Sequence, residues 1–235
     1  MENKNICSSL FFLFLLISVD IVFIFLSCIN ILTTLLNNLM FNLGSDRGYP
    51  EVYQYIKFFW IILLLLCAMW KYKAVQYIAW VFIFSYFLVD DSLQIHERIG
   101  DIISENMDFR VPLGLRVQDI GELMASLFFG IILFIPLFYS YINGGIVFKK
   151  ISNDMFILIV FLIFFGVFLD VLHVSLRDIG WTFKFILGVI EDGGEMVSVS
   201  LLVWYVLRLN IRDDMNNGLI IPVLNCYLPA IMSDR

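Results

Sequence analysis

Apolar residues in this chain come in long runs broken by short polar clusters. They show neither the two-residue alternation of a half-buried strand nor the narrow apolar stripe of a soluble amphipathic helix. A helix rises about 1.5 Å per residue, so about 20 apolar residues cross a hydrocarbon core about 30 Å thick. Six windows meet that need: residues 10–36, 53–70, 74–95, 120–141, 155–174 and 187–207. The pattern predicts an all-α fold, a polytopic membrane helical bundle of about six transmembrane helices.

Details refine the layout. Lys57 opens the short second window and is expected to snorkel to the interface along its apolar stem. Pro136 lies inside the fourth window, where a kink is expected. Between Arg98 and Asp119, residues Ile99, Ile102, Ile103 and Met107 recur at helical spacing around Pro112, which predicts a surface-lying helix. The connection 175–186 carries Trp181, Phe183 and Phe185, as a headgroup-level belt would. Beyond the sixth window, 213–218 is a polar linker. The apolar segment 219–232 is too short to span and is interrupted by Pro222 and Pro229. The expected domains are a bundle over 1–212 and a cytoplasmic tail over 213–235, interfacial or docked on a soluble protein partner.

Composition sharpens this reading. The chain is 61% hydrophobic and only 15% charged, with 24 Phe, against about 45–50% and about 25% in soluble domains. A chain of 235 residues cannot hide that much apolar surface in one soluble core. The lipid bilayer is therefore the expected partner, and packing among copies as a homo-oligomer is compatible. A net charge of −6 with no basic run excludes nucleic acid as a partner. Cys7, Cys28, Cys67 and Cys226 form no C-x-x-C pair and read as small buried hydrophobes. The first apolar run exceeds the 7–15 residues or so of a cleaved leader, so a retained helix is expected. Lys4, Lys71, Lys73, Lys149, Lys150, Arg208 and Arg212 fall on one side in short, acid-poor segments. That side, with both termini, is expected in the cytoplasm.

The chemistry gathers at the opposite ends of the windows. Asp90-Asp91-Ser92-Leu93-Gln94-Ile95-His96-Glu97 closes the third. On one continuous helix Asp90, Gln94, Glu97 and Asp101 would share a face, with His96 on another flank above Ser92. Asp119 and Glu122 open the fourth, Asp170 and His173 close the fifth, and Glu191, Asp192 and Glu195 open the sixth. Both histidines of the chain lie in this layer, and ionisable groups at bilayer depth cost roughly 2.5–3.5 kcal/mol each without compensation.

Three readings follow. In one, the acids are a solvated rim and first-turn caps, as suits Asp119, Glu191 and Asp192. In the second, Asp90, Asp91, His96, Glu97, Glu122, Asp170 and His173 hold a divalent metal (zinc, iron or manganese), and Glu191 or Glu195 is the catalytic base for hydrolysis or oxidation of a lipid-phase substrate. In the third, the layer is a proton or cation pathway or sensing element, which Asp20, deep in the first window, supports. A different class altogether is a non-enzymatic sensor, immunity factor or scaffold that engages a cytoplasmic effector through the tail, as in phage defence. Glu122, Ser126 and Gly130 on the fourth helix and Gly194 and Ser198 on the sixth form small-residue stripes where backbones are expected to meet.

The motif Asp90-Asp91-x4-His96-Glu97, followed by Glu191-Asp192-Gly193-Gly194-Glu195-Met196, resembles a group of uncharacterised bacterial polytopic membrane proteins. Their pattern runs Asp-Glu-x4-His-Glu, then Glu-Glu-x-x-Glu-Met. The likeness covers roughly the third to sixth helices and departs at Asp91 and Asp192, where Glu is usual. It implies a helical fold in a bacterial inner membrane, makes Asp90, Asp91, His96, Glu97, Glu191 and Glu195 a paired set, and brings no activity with it. Membrane ceramidase-like hydrolases also build zinc sites from His and Asp, but their paired histidines in a late span have no counterpart here.

Overall fold

A computed structural model describes residues 2–33, 38–106, 115–176 and 180–211. Met107 and Pro112 of the expected surface helix, and the whole tail 213–235, lie outside these. The chain forms α1 (Glu2–Thr33), a 3-10 turn (Leu39–Phe41), α2 (Tyr49–Tyr72), α3 (Tyr77–Leu93), α4 (Ile95–Asn106), α5 (Val117–Asn143) and α6 (Ile146–Ile163). A π-helical turn (Phe164–Leu169) then leads into α7 (Asp170–Ser175), and α8 (Trp181–Ile211) follows. There is no strand among the described residues, and the architecture is an all-helical bundle.

Each predicted window is a helix, and local chemistry sets the ends. Pro50 sits at the first turn of α2, where its missing N–H costs nothing. Lys73 ends α2 in the left-handed region, φ 49°, with its N–H on the Met69 and Trp70 carbonyls. Gln94 does the same for α3 at φ 52°, and α4 leaves at 60° to α3. α5 runs on through Pro136.

α8 is the hub, packed against α1, α2, α6 and the π turn. Its Val199, Leu202, Val203 and Val206 meet Phe58, Ile61 and Leu65 of α2, Trp80 and Phe84 of α3, and Met155 of α6. Trp80 donates its indole N–H to Ser152 Oγ at 3.0 Å, so this large buried side chain keeps its polar atom satisfied. At the basic end, Lys71 Nζ donates to Asn210 O at 2.8 Å and Tyr72 Oη to Leu209 O at 2.6 Å, tying α2 to α8.

Other large apolar side chains face outward, among them Phe11, Phe14, Phe128, Ile131, Ile135 and Phe161. Four stretches are long and apolar enough to cross a membrane: Cys7–Thr33, Tyr49–Tyr72, Val117–Asn143 and Ile146–Ser175. The bent pair Tyr77–Leu93 and Ile95–Asn106 would make a fifth. Only 11% of the most apolar part of α5 is buried within the bundle. α8, which carries Glu191, Asp192, Glu195 and Arg208, is not in this group.

Several expectations change. Lys57 does not snorkel: its side chain is wholly buried beside Asp20. Cys7 and Cys67 are exposed on helix surfaces as free thiols, not buried. A Cβ at Gly130 would meet nothing within 4 Å, so the small stripe there makes no contact. The close approach on α5 falls at Gly121, where a Cβ would lie 2.8 Å from Gly100 Cα of α4. α8 begins at Trp181, nearly two turns before the expected start, because the aromatic segment is itself helical.

Candidate functional site

The carboxylates gather at the end of the bundle opposite the Lys71–Asn210 tie. The break at Gln94 decides the first pair. On a continuous helix Asp90 and His96 would diverge; with the chain turned back, His96 Nδ1 stands 3.0 Å from Asp90 Oδ2 and the His96 amide donates to Asp90 Oδ1 at 3.0 Å. Asp90 thus caps α4, and the expected face shared by Asp90, Gln94, Glu97 and Asp101 is broken. Gln94 keeps a hydrogen bond to Glu97 Oε2, at 3.2 Å.

Glycines set the distance between α4 and α5. With Gly100 against Gly121, Glu122 is held within electrostatic reach of His96, Glu97, Asp119 and Asp170. Of the three acids expected as first-turn caps, Asp119 behaves as one, accepting the Arg116 N–H at 2.6 Å and the Arg116 guanidinium at 2.7 Å. Glu191 and Asp192 lie mid-helix, so the cap reading does not hold for them.

The second pair joins α7 to α8. The π turn ends at Asp170, and His173 Nδ1 stands 2.7 Å from Glu191 Oε2. Glu191 also interacts with Asp170, which feels Asp119, His173 and His96. One turn further, Glu195 Oε1 accepts from Gln54 Nε2 at 2.7 Å. Glu195 interacts with Lys57, Glu51 and Asp170, and Asp91 with Glu195, Asp90 and His96. A Cβ at Gly166 would lie 3.3 Å from Glu195 Cδ, so the π turn leaves this carboxyl its space.

All nine predicted site residues therefore belong to one electrostatic network. Within it the histidines serve separate pairs, His96 with Asp90 and His173 with Glu191. No group of three or more His, Cys, Asp or Glu converges as a metal cage among the described residues.

Below the layer lies a pair that the sequence placed only in part. Lys57 Nζ donates to Asp20 Oδ1 at 3.0 Å, Met196 O at 2.7 Å and Ser200 Oγ at 3.3 Å, and Ser200 donates on to Asp20 Oδ2 at 2.6 Å. Every ammonium proton is used. Gln54, Glu51 and Tyr55, whose hydroxyl donates to the Glu51 carboxylate and lies 3.2 Å from Asp91 O, are site neighbours that the sequence reading misses. Their signal was a polar i, i+3, i+4 stripe, Glu51, Gln54, Tyr55, on an otherwise apolar helix.

His96 lies beyond the apolar stretch of α3, and its hydrogen bond to Asp90, outweighing burial, pushes its pKa up to about 9. A raised folded pKa stabilises fully below the unfolded value of about 6.5 and is lost as pH rises through the folded one. The stability advantage of the wild type over Asp90→Asn should therefore be largest near pH 6 and shrink toward pH 9.5, as read by thermal unfolding in detergent. An imidazole NMR titration placing His96 near 6.5 would contradict this.

Fold and layer together define a class: an all-helical bundle with several outward-facing apolar helices and a largely half-buried acidic layer at one end. The chain belongs to the family described as domain of unknown function DUF8692, which matches residues 47–209. That region runs from α2 to near the end of α8 and holds the whole layer, leaving Asp20 and α1 outside. No curated protein and no solved structure matches the chain.

Proposed function

We propose that this chain is a six-span protein of a bacterial inner membrane with both termini in the cytoplasm, and that its acidic layer holds exchangeable protons. The membrane reading is supported by the outward-facing apolar helices, whose large side chains the bundle leaves largely uncovered. In this reading α4 lies along the surface, and α8 is the polar sixth span, sheltered from lipid by α1, α2 and α6.

The proton reading rests on one observation: Glu191 lies beside Asp170 while its Oε2 stands 2.7 Å from His173 Nδ1. Two ionised carboxylates side by side repel, and a proton held between them relieves that repulsion. The surplus of acids over bases favours counter-cations of some kind, since unpaired charges in low dielectric are costly. Hydrogen-bonded pairs suit protons better than a divalent metal, which needs three or more converging ligands. Metal-assisted turnover of a lipid-phase substrate has correspondingly less support.

Infrared difference spectra of the protein in bilayers test this. The wild type should give a protonated-carboxyl C=O band that shifts in D2O and disappears in Glu191→Gln. Absence of that band, or a stoichiometric transition metal in chelator-free protein by elemental analysis, would overturn the proton reading.

A further inference from the structure

Beside the layer lies a cavity of about 370 Å³, bounded by the end of α1, the 42–45 turn and the first turns of α8. Its volume falls in the range of small-molecule sites. From α8 it is lined by Trp181, Lys184, Phe185, Gly188 and Asp192, a spacing that puts all five on one helix face. The Trp181 and Phe185 rings stack with centroids 5.6 Å apart and planes at 5°.

The polar groups are unmatched. Lys184 is exposed and makes no ion pair among the described residues. Asp192 stands two turns deeper. The His173 ring also lines the cavity; its Nδ1 faces Glu191, and its Nε2 is buried with no partner among the described residues. The cavity thus offers a cation at its mouth, a carboxylate further in, and a stacked aromatic wall. An anion alone leaves Asp192 unanswered, and a quaternary ammonium has no N–H to donate to it.

We infer that the cavity takes the head group of a zwitterionic aminophospholipid, phosphate on Lys184 and primary ammonium on Asp192, with its chains leaving past Trp181 and Phe185. This rests on the membrane reading above.

The test reconstitutes the full chain into phosphatidylcholine bilayers containing phosphatidylethanolamine or phosphatidylglycerol, and measures co-retained lipid by native mass spectrometry. The expected result is about tenfold preferential retention of phosphatidylethanolamine, a difference of about 1.4 kcal/mol. Lys184→Gln, an exposed change that leaves packing intact, and Asp192→Asn should each abolish it. Gly188→Leu should block the cavity, since even a Cβ there lies 3.2 Å from His173 Cε1. Equal retention of the three lipids, a preference that survives Lys184→Gln and Asp192→Asn, or equally tight binding of free O-phosphoethanolamine would overturn the inference while leaving the membrane reading intact. Failure of the protein to enter bilayers at all would overturn both.

Discussion

Replacing Lys57 with methionine is expected to cost about 3–5 kcal/mol of folding stability, the range seen when one partner of a buried ion pair is removed. The size follows from how completely the pair is satisfied. Lys57 and Asp20 are both wholly buried and 3.0 Å apart. The ammonium spends its three protons on Asp20, Met196 O and Ser200, and the far carboxylate oxygen accepts from Ser200. Methionine fills the same space but leaves Asp20 charged, dry and short of its counter-ion. Neutralising both sides should reverse most of the loss: Asp20→Asn with Lys57→Met is expected within about 1–2 kcal/mol of wild type, because well-packed neutral replacements of buried ion pairs are often close to neutral. Unfolding in mixed micelles gives the four corners of this double-mutant cycle. Additive losses in the double variant, or single losses under about 1 kcal/mol, would show that the pair does not hold α1, α2 and α8 together.

That pair also marks where sequence reading stops. The helices were legible because apolar runs of spanning length leave few other structures available, and every window became one. The acidic layer was legible too, since charge placed at helix ends in so apolar a chain must cluster or face water. The pairings were not. Lys57 looked like a surface residue because it sits one turn into a short window; what buries it is Asp20, 37 positions earlier, delivered by the packing of α1 on α8. His96 found Asp90 because Gln94 takes a left-handed conformation that nothing in its side chain announces. Glu191 and Asp192 read as caps because the helical character of the aromatic segment before them was read as a belt. In each case the deciding contact is a backbone break or a long-range packing event, and local spacing carries neither.

A single methyl group at Gly194 is expected to be among the most damaging changes in the chain. A Cβ there would sit 2.1 Å from Phe165 Cδ1, 2.4 Å from Cε1 and 2.6 Å from Cγ, far inside contact distance for a whole ring. Phe164 stands edge-on to Phe165 with centroids 5.3 Å apart, which narrows the room for the ring to swing aside. Any shift of Phe165 bears on the π turn, which carries Gly166 against Glu195 and brings Asp170 beside Glu191. Gly194→Ala should therefore cost about 1–3 kcal/mol or more, the range for overpacked cores, and Gly194→Leu should not assemble. Gly130→Ala is the matched control on another helix. Its Cβ enters open space, so it should be neutral or stabilising by up to about 1 kcal/mol through helix propensity alone. Phe165→Ala in the Gly194→Ala background should recover part of the stability by removing the clashing ring. The shared-carboxyl infrared band should stay altered in that double variant, because α6 and α8 no longer interlock at the π turn. Stability recovering together with an unchanged band would mean that this packing does not position Asp170, and that the layer is held by its hydrogen bonds alone.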